Sequence, residues 1–394
     1  MSSSISSTDS IEGSGHPLCF KTLQGSARPG VLGLNDAQDL FITQARAMGG
    51  HQKEAVVLEG EHGSAWRMVS DEGPALQGTD LAPFPLGFMS AALQAELLQR
   101  MALLARQEGV VLGDLRSLGF NDYVFEGSFF RGTGRGQALP PRFTLQARTS
   151  APAEAVRNLA RRAALSSPLL AAWATPLQNT FALYANGRRV QLRELRPSQM
   201  DARDPFKVWA QLPTPLAGDQ SWPDIVSKAP PVPVKNPTQA SGWETGRVDI
   251  PIHGQCAIEG GRGRSLTWAN RLGGSAFAIV SDDRADGDQA PSALAHAFAG
   301  IAFCFMTQLL RYVAHHEMKV RALRLVQYSP CRIESGLAQA MPLDTHVFVH
   351  TEESDEVMER LVQMSARTCY LHAALGATLA PEIGLDLGAL RAWR

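Results

Sequence analysis

The chain has no apolar run that is long and uninterrupted enough to cross a bilayer. The longest candidate, Leu294 to Val313, is broken by His296, Thr307, Gln308 and Arg311, so it reads as a buried helix. A secretory leader is not expected either. The first residues, MSSSISSTDSIEGSGH, are polar and Ser-rich, with neither a basic n-region nor an apolar h-region. The expected compartment is therefore the cytoplasm. Cysteine is scarce, with five in 394 residues: Cys19, Cys256, Cys304, Cys331 and Cys369. An odd, sparse count in a chain of this size excludes a disulfide framework, and no CxxC or Cys/His spacing points to zinc. No metal and no cofactor are expected. Charge of one sign is lacking too: 37 Lys+Arg stand against 38 Asp+Glu, a formal net charge of -1. With no long basic run and no basic–aromatic stripe, neither nucleic acid nor a membrane surface is an expected partner.

What is present is a soluble globular balance, 44% hydrophobic and 19% charged, over a length suited to two domains. An internal repeat supports that division. AWRMVSDEG (Ala65 to Gly73) resembles AFAIVSDDR (Ala276 to Arg284). Each is followed by a Pro-led apolar helix, after Pro83 and after Pro291, since proline suits a first helical turn. Further on, FTLQARTSAPAEAVRNLARRAALSSPLLAAW lies over THVFVHTEESDEVMERLVQMSARTCYLHAAL. In both, a strand leads into a helix with apolar residues at helical spacing: Val156, Leu159, Ala160 and Ala163, against Met358, Leu361, Val362 and Ser365. The order is strands, long apolar helix, strands, amphipathic helix, which is α+β.

The boundaries follow. Residues 1–30 read as a disordered N-terminal segment, 31–195 as the first domain, 196–243 as a Pro-rich connector containing KAPPVPVKNP, and 244–394 as the second domain. Asn35 to Met48 reads as an additional helix of the first domain. GTGRG, Gly132 to Gly136, has no helix after it and reads as a hairpin turn, not a nucleotide loop.

The second half resembles the OsmC/Ohr family of osmotically inducible and organic hydroperoxide resistance proteins. Three features carry the likeness: an apolar helix after Pro291 with Cys304 at its middle, the strand-then-helix order behind it, and Cys369 in SARTCYLHAAL. The pattern covers about Gly260 to Leu387, and the first half shows the same layout from about Val56 to Leu192. The resemblance implies two tandem OsmC-like domains that form an intramolecular pseudo-dimer around two long central helices, Pro83 to Gln107 and Pro291 to His316. The molecule would be a monomeric pseudo-dimer or a further homodimer. It also implies thiol-dependent reduction of organic hydroperoxides, with Cys304 as attacking thiolate, Cys369 as disulfide partner and a dithiol as reductant.

The family's arginine arrives from an N-terminal hairpin, which makes Arg262 and Arg264 the candidates. Arg67 and Arg367 are further sources of positive charge. The family's glutamate position falls near Ala295, and no acid stands between Pro291 and Cys304. In the first half the cysteine places fall at Ala95 or Glu96 and at Ser167, so that half lacks both cysteines.

Taken singly, Cys304 among Ile301, Phe303, Phe305 and Met306 is a small buried hydrophobe. Cys256 and Cys331 lie on strand-like segments and read as packing residues, and Cys19 carries no expected role. His296 could face Cys304 or be a hydrogen-bonded core histidine, and His315 and His316 belong to the polar helix end. Glu96 reads as a solvent-facing residue paired with Arg100 at i, i+4. Two functions stay open: a hydroperoxide reductase using the Cys304/Cys369 pair, and a non-catalytic protein that holds a small hydrophobic ligand in the interdomain cavity.

Overall fold

The computed structural model describes residues 9–129, 131–218, 225–232, 246–270 and 272–387. The chain opens with a short helix α1 (Ile11–Ser14) and strands β1 (Cys19–Leu23), β2 (Ala37–Ala47), β3 (Lys53–Glu59) and β4 (Ala65–Ser70). Helix α2 (Pro85–Gln107) follows, with Pro85 in its first turn, where a missing N–H is harmless. Then come β5 (Gly113–Gly127), β6 (Arg135–Ala138), β7 (Arg142–Arg148), α3 (Ala153–Leu165), α4 (Pro168–Ala174), β8 (Thr180–Ala185) and β9 (Arg188–Val190). A short helix α5 (Phe206–Ala210) and β10 (Val226–Ala229) precede β11 (Gly246–Glu259), β12 (Arg262–Ala269) and β13 (Ala276–Ser281). Helix α6 (Ala293–His315) is capped by Ser292, whose hydroxyl accepts from the Ala295 N–H. The chain closes with β14 (Val320–Glu334), β15 (Leu337–Gln339), β16 (Asp344–Thr351), α7 (Asp355–Thr368), α8 (Tyr370–Leu375) and β17 (Glu382–Asp386).

This is a mixed α+β architecture with two sheets. One runs β1-β4-β3-β2-β14-β16-β8-β9, with β15 on β14; the other runs β10-β13-β12-β11-β5-β7-β17, with β6 on β5. The order interleaves distant parts of the chain. β2 pairs antiparallel with β14 (Phe41 opposite Ser329), and β5 pairs antiparallel with β11 (Phe120 opposite His253). α2 packs on the sheet containing β11 and β12, α6 packs on β2 and β3, and the two helices meet between the sheets. The helices approach closely at Gly300, where a Cβ would stand 3.0 Å from the Pro85 carbonyl oxygen and 3.1 Å from Phe88 Cβ. Gly263 does the same for helix on sheet, since a Cβ there would come within 2.8 Å of Ala95 Cβ.

α6 is long and apolar enough to cross a membrane by length and composition, and its apolar window is wholly buried. Phe303 and Phe305 are fully enclosed, and each such side chain contributes on the order of 2 kcal/mol of burial.

Three expectations are corrected here. Asn35 to Met48 forms strand β2, not a helix: Phe41, Thr43 and Ala45 alternate inward, and β3 and β14 flank it on both sides. Within 1–30, residues 1–8 lie outside the described residues, but α1 and β1 are ordered, and Cys19 is a core residue of β1. Within 196–243, parts lie outside the described residues, yet β10 extends a sheet by pairing with β13. The GTGRG segment does join the paired strands β5 and β6.

Candidate thiol site

Cys304 is the twelfth residue of the 23-residue α6. Cys369 marks a break in the helical chain. Its extended backbone (φ −74, ψ 115) ends α7 and starts α8, which turns its side chain toward α6. The two sulfurs stand 3.4 Å apart. A disulfide spans about 2.05 Å, so roughly 1.3 Å of closure would join them. Both are enclosed, Cys304 at 2% exposure and Cys369 at 0%.

Burial pushes the pKa of both thiols up, but their surroundings differ. Cys304 stays well above the ordinary thiol range, because burial is reinforced by its proton-sharing contact with Cys369. At Cys369 burial is outweighed by donors: the Cys304 thiol, the His372 ring and the His372 backbone N–H. His372 Nδ1 lies 3.2 Å from Cys369 Sγ. The donors around Cys369 thus hold it below the ordinary thiol range, while Cys304 stays above it.

Access favours the opposite sulfur. A small cavity of about 50 Å³ ends on Cys304 and does not include Cys369. Its walls are largely apolar, with Phe84, Leu86, Ile250, Ile252 and Leu272. Cys304, Thr307, Gln308 and Arg311 occupy i, i+3, i+4 and i+7 of α6 and so share one helix face. Thr307 donates to Glu72, which also pairs with buried Lys53 at 3.2 Å. Gln308 accepts from Arg311, whose guanidinium lies over the Phe129 ring at 4.1 Å.

Glu72, from the segment after β4, and His372 were not legible as site residues. Glu72 reaches α6 from the opposite half of the sequence. The i, i+3 spacing of His372 from Cys369 is the sequence signal that singles it out. The polar interruptions of α6 were visible, but only as a sign of a buried helix rather than a membrane span.

The expected arginines are elsewhere. Arg262 donates to Gln289, and Arg264 is exposed on β12 opposite Ala257 and Val280; neither lines the cavity at Cys304. Both belong to the β12 end that passes over Ala95, whereas the cavity is lined from the other end, by Ala269. Arg67 is buried against Glu54 and the Pro17 carbonyl. Arg367 is exposed and donates to the Gly132 carbonyl. His296 is a core histidine: its Nε2 meets the Val280 carbonyl at 3.0 Å, its ring stacks on Phe88, and burial pushes its pKa down to about 4. Cys256 and Cys331 are buried in β11 and β14. His315 and His316 are exposed at the end of α6.

Glu96 is the twelfth residue of the 23-residue α2 and is fully buried, not solvent-facing. Its pairing with Arg100 holds, at 3.0 Å, and Ser167 donates to its other oxygen at 2.5 Å. Arg100 also donates to the Val31 and Gly33 carbonyls. A hydroxyl–carboxylate contact thus stands at the helix position and junction where the other half has two sulfurs.

No family model and no curated protein matches the chain. Among solved structures, an OsmC-like hydroperoxide resistance protein from Jannaschia sp. CCS1 is similar to it at 20% identity. The match covers 32% of this chain and 85% of that chain, with a TM-score of 0.22.

Proposed function

We propose that the chain reduces organic hydroperoxides through Cys304 and Cys369, as a tandem OsmC-like pseudo-dimer with one thiol site. The observation that carries this reading is the 3.4 Å sulfur–sulfur contact at the end of an apolar cavity, with an imidazole on one sulfur. Cys304 is the sulfur a substrate can reach. Its proton passes to Cys369 across the contact, and the Cys304 thiolate attacks the terminal oxygen of the hydroperoxide. The O–O bond breaks, the alkoxide takes the proton back from Cys369 and leaves as the alcohol, and Cys304 becomes a sulfenic acid. Cys369 then attacks the Cys304 sulfur, expelling water and closing the disulfide. In sum, two thiols and one hydroperoxide give one disulfide, one alcohol and one water. A dithiol returns the pair to its reduced form. The apolar lining suits a hydrophobic substituent on the peroxide.

Burial of both sulfurs favours a second reading. A thiol in an apolar enclosure is ordinarily inert, and the same cavity would then hold a small hydrophobic ligand without chemistry.

The separating experiment treats wild type, Cys304→Ser and Cys369→Ser with one equivalent of cumene hydroperoxide, followed by intact-mass and thiol analysis. The peroxidase reading expects an internal disulfide in wild type, a trappable sulfenic acid in Cys369→Ser and no fast reaction in Cys304→Ser. Equal slow thiol loss in all three would leave the ligand-binding reading.

A further inference from the structure

Beyond the cavity at Cys304 there is a second, larger pocket of about 530 Å³, and the two share no lining residue. It opens between the segment before β8, the chain after β9, and α7 with the start of α8. Gln178, Asn179, Phe181, Arg196, Ala366 and His372 are among its walls. His372 links this pocket to the thiols. Its Nδ1 is on Cys369, while its Nε2 is buried and has no hydrogen-bond partner among the described residues. The ring is 7% exposed and held between Phe181 at 5.2 Å and Phe305 at 5.0 Å. A buried ring nitrogen without a partner is costly unless something in the pocket completes it. Polar groups at the mouth, including Gln178, Asn179, Arg196 and Arg367, give a ligand with a polar end somewhere to bind.

We infer that this second pocket receives the thiol reductant, so that peroxide and reductant reach the sulfur pair by separate routes, with His372 as the proton acceptor on the reductant side. The inference rests on the peroxidase reading above. The reductant's first thiol gives its proton to His372 Nε2, and the imidazole turns aside from Cys369. The reductant sulfur bonds to Cys369 Sγ, the Cys369–Cys304 bond breaks, and its electron pair goes to Cys304. The second thiol then attacks the reductant's own sulfur and releases Cys369 as a thiolate beside the protonated imidazole. The second proton ends on Cys304. Two thiol protons enter, one stays on each side of the pair, and the reductant leaves as a cyclic disulfide. The cavity at Cys304 remains free for the next peroxide.

The test times two half-reactions by stopped flow. Oxidation uses cumene hydroperoxide on reduced protein. Reduction uses dithiothreitol on protein whose disulfide was formed with diamide, so it reads even if the peroxide does not react. Ala366→Phe fills the second pocket from α7, and Gln178→Trp, on an exposed loop, fills it should the first variant fold poorly. Ala75→Trp fills the cavity at Cys304. The expected result is a tenfold or larger slowing of reduction by Ala366→Phe or Gln178→Trp, with oxidation within twofold of wild type, and the reverse for Ala75→Trp. In His372→Ala, reduction should slow by tenfold or more. Added imidazole should restore it, and a filled second pocket should block that rescue.

Slowing of both half-reactions by Ala75→Trp alone would show that the reductant shares the peroxide's route, and would overturn the inference. So would reduction that is indifferent to all three fillings. Failure of wild type to react with peroxide, with diamide-formed disulfide still reduced through the second pocket, would sink the peroxidase reading and leave the access route standing.

Discussion

Oxidising the Cys304–Cys369 pair should stabilise the folded protein, and the size of the effect can be worked from the chain. The two residues are 65 positions apart. In the loop-entropy account, a cross-link closing a loop of that length removes about 14.5 cal/mol/K from the unfolded ensemble, about 4 kcal/mol at 25 °C. The sulfurs already stand 3.4 Å apart, so the native fold has little to rearrange and strain should take back only part of that figure. The value is a ceiling. The assay is urea unfolding followed by tryptophan fluorescence, on protein oxidised with one equivalent of diamide and on protein kept reduced with a phosphine. With an unfolding slope of about 3 kcal/mol/M, the midpoint should move up by about 1 M on oxidation. Cys304→Ser and Cys369→Ser should show no movement. An unchanged wild-type midpoint would mean that the sulfurs do not bond. An equal shift in either serine variant would mean that Cys19, Cys256 or Cys331 is responsible, and either result would refute the reasoning.

Other outcomes follow from the same coordinates. At pH 7 the protein should show thiolate absorbance at 240 nm from no more than one sulfur. Cys369 is held low, whereas burial pushes Cys19, Cys256, Cys304 and Cys331 up; Cys369→Ser should abolish the signal. Because the folded-state value of Cys369 lies below its unfolded one, its contribution to stability is fully present above about pH 9 and is lost as pH falls through the folded value. His296 works the same way at lower pH. Its folded pKa of about 4 lies below 6.5, so stability should fall between pH 6.5 and 4, by about 3 kcal/mol if His296 titrates alone. His296→Gln should flatten that slope in pH-dependent unfolding. Glu96→Ala should destabilise by about 3–5 kcal/mol, since it strands buried Arg100; Glu96→Ala with Arg100→Leu should recover part of that loss in chemical unfolding.

Local signals were readable where they are local in origin. The two long helices follow from a largely apolar composition after a proline, and the amphipathic helices α3 and α7 from apolar residues at helical spacing. Segment 35–48 was misread because its alanines and glutamines suit a helix in isolation. Its strand conformation comes from partners on β3 and β14, the latter almost 300 residues away, and no local window contains them.

The thiol site divides along the same line. The sequence by itself put Cys304 in an apolar helix and Cys369 near the start of the last helix region, both in the second half, and showed that the matching places of the first half hold no cysteine. Only the tertiary structure decided which groups surround them. It brought Glu72 and Lys53 across to Thr307, set His372 on Cys369, and sent Arg262 and Arg264 to the far end of β12. It also put Cys304, and not Cys369, on the wall of the small cavity. The reason is physical: spacing along a helix fixes which side chains share a face, whereas the protonation of a buried sulfur depends on donors arriving from other elements, and strand pairing across the whole chain sets where those elements lie.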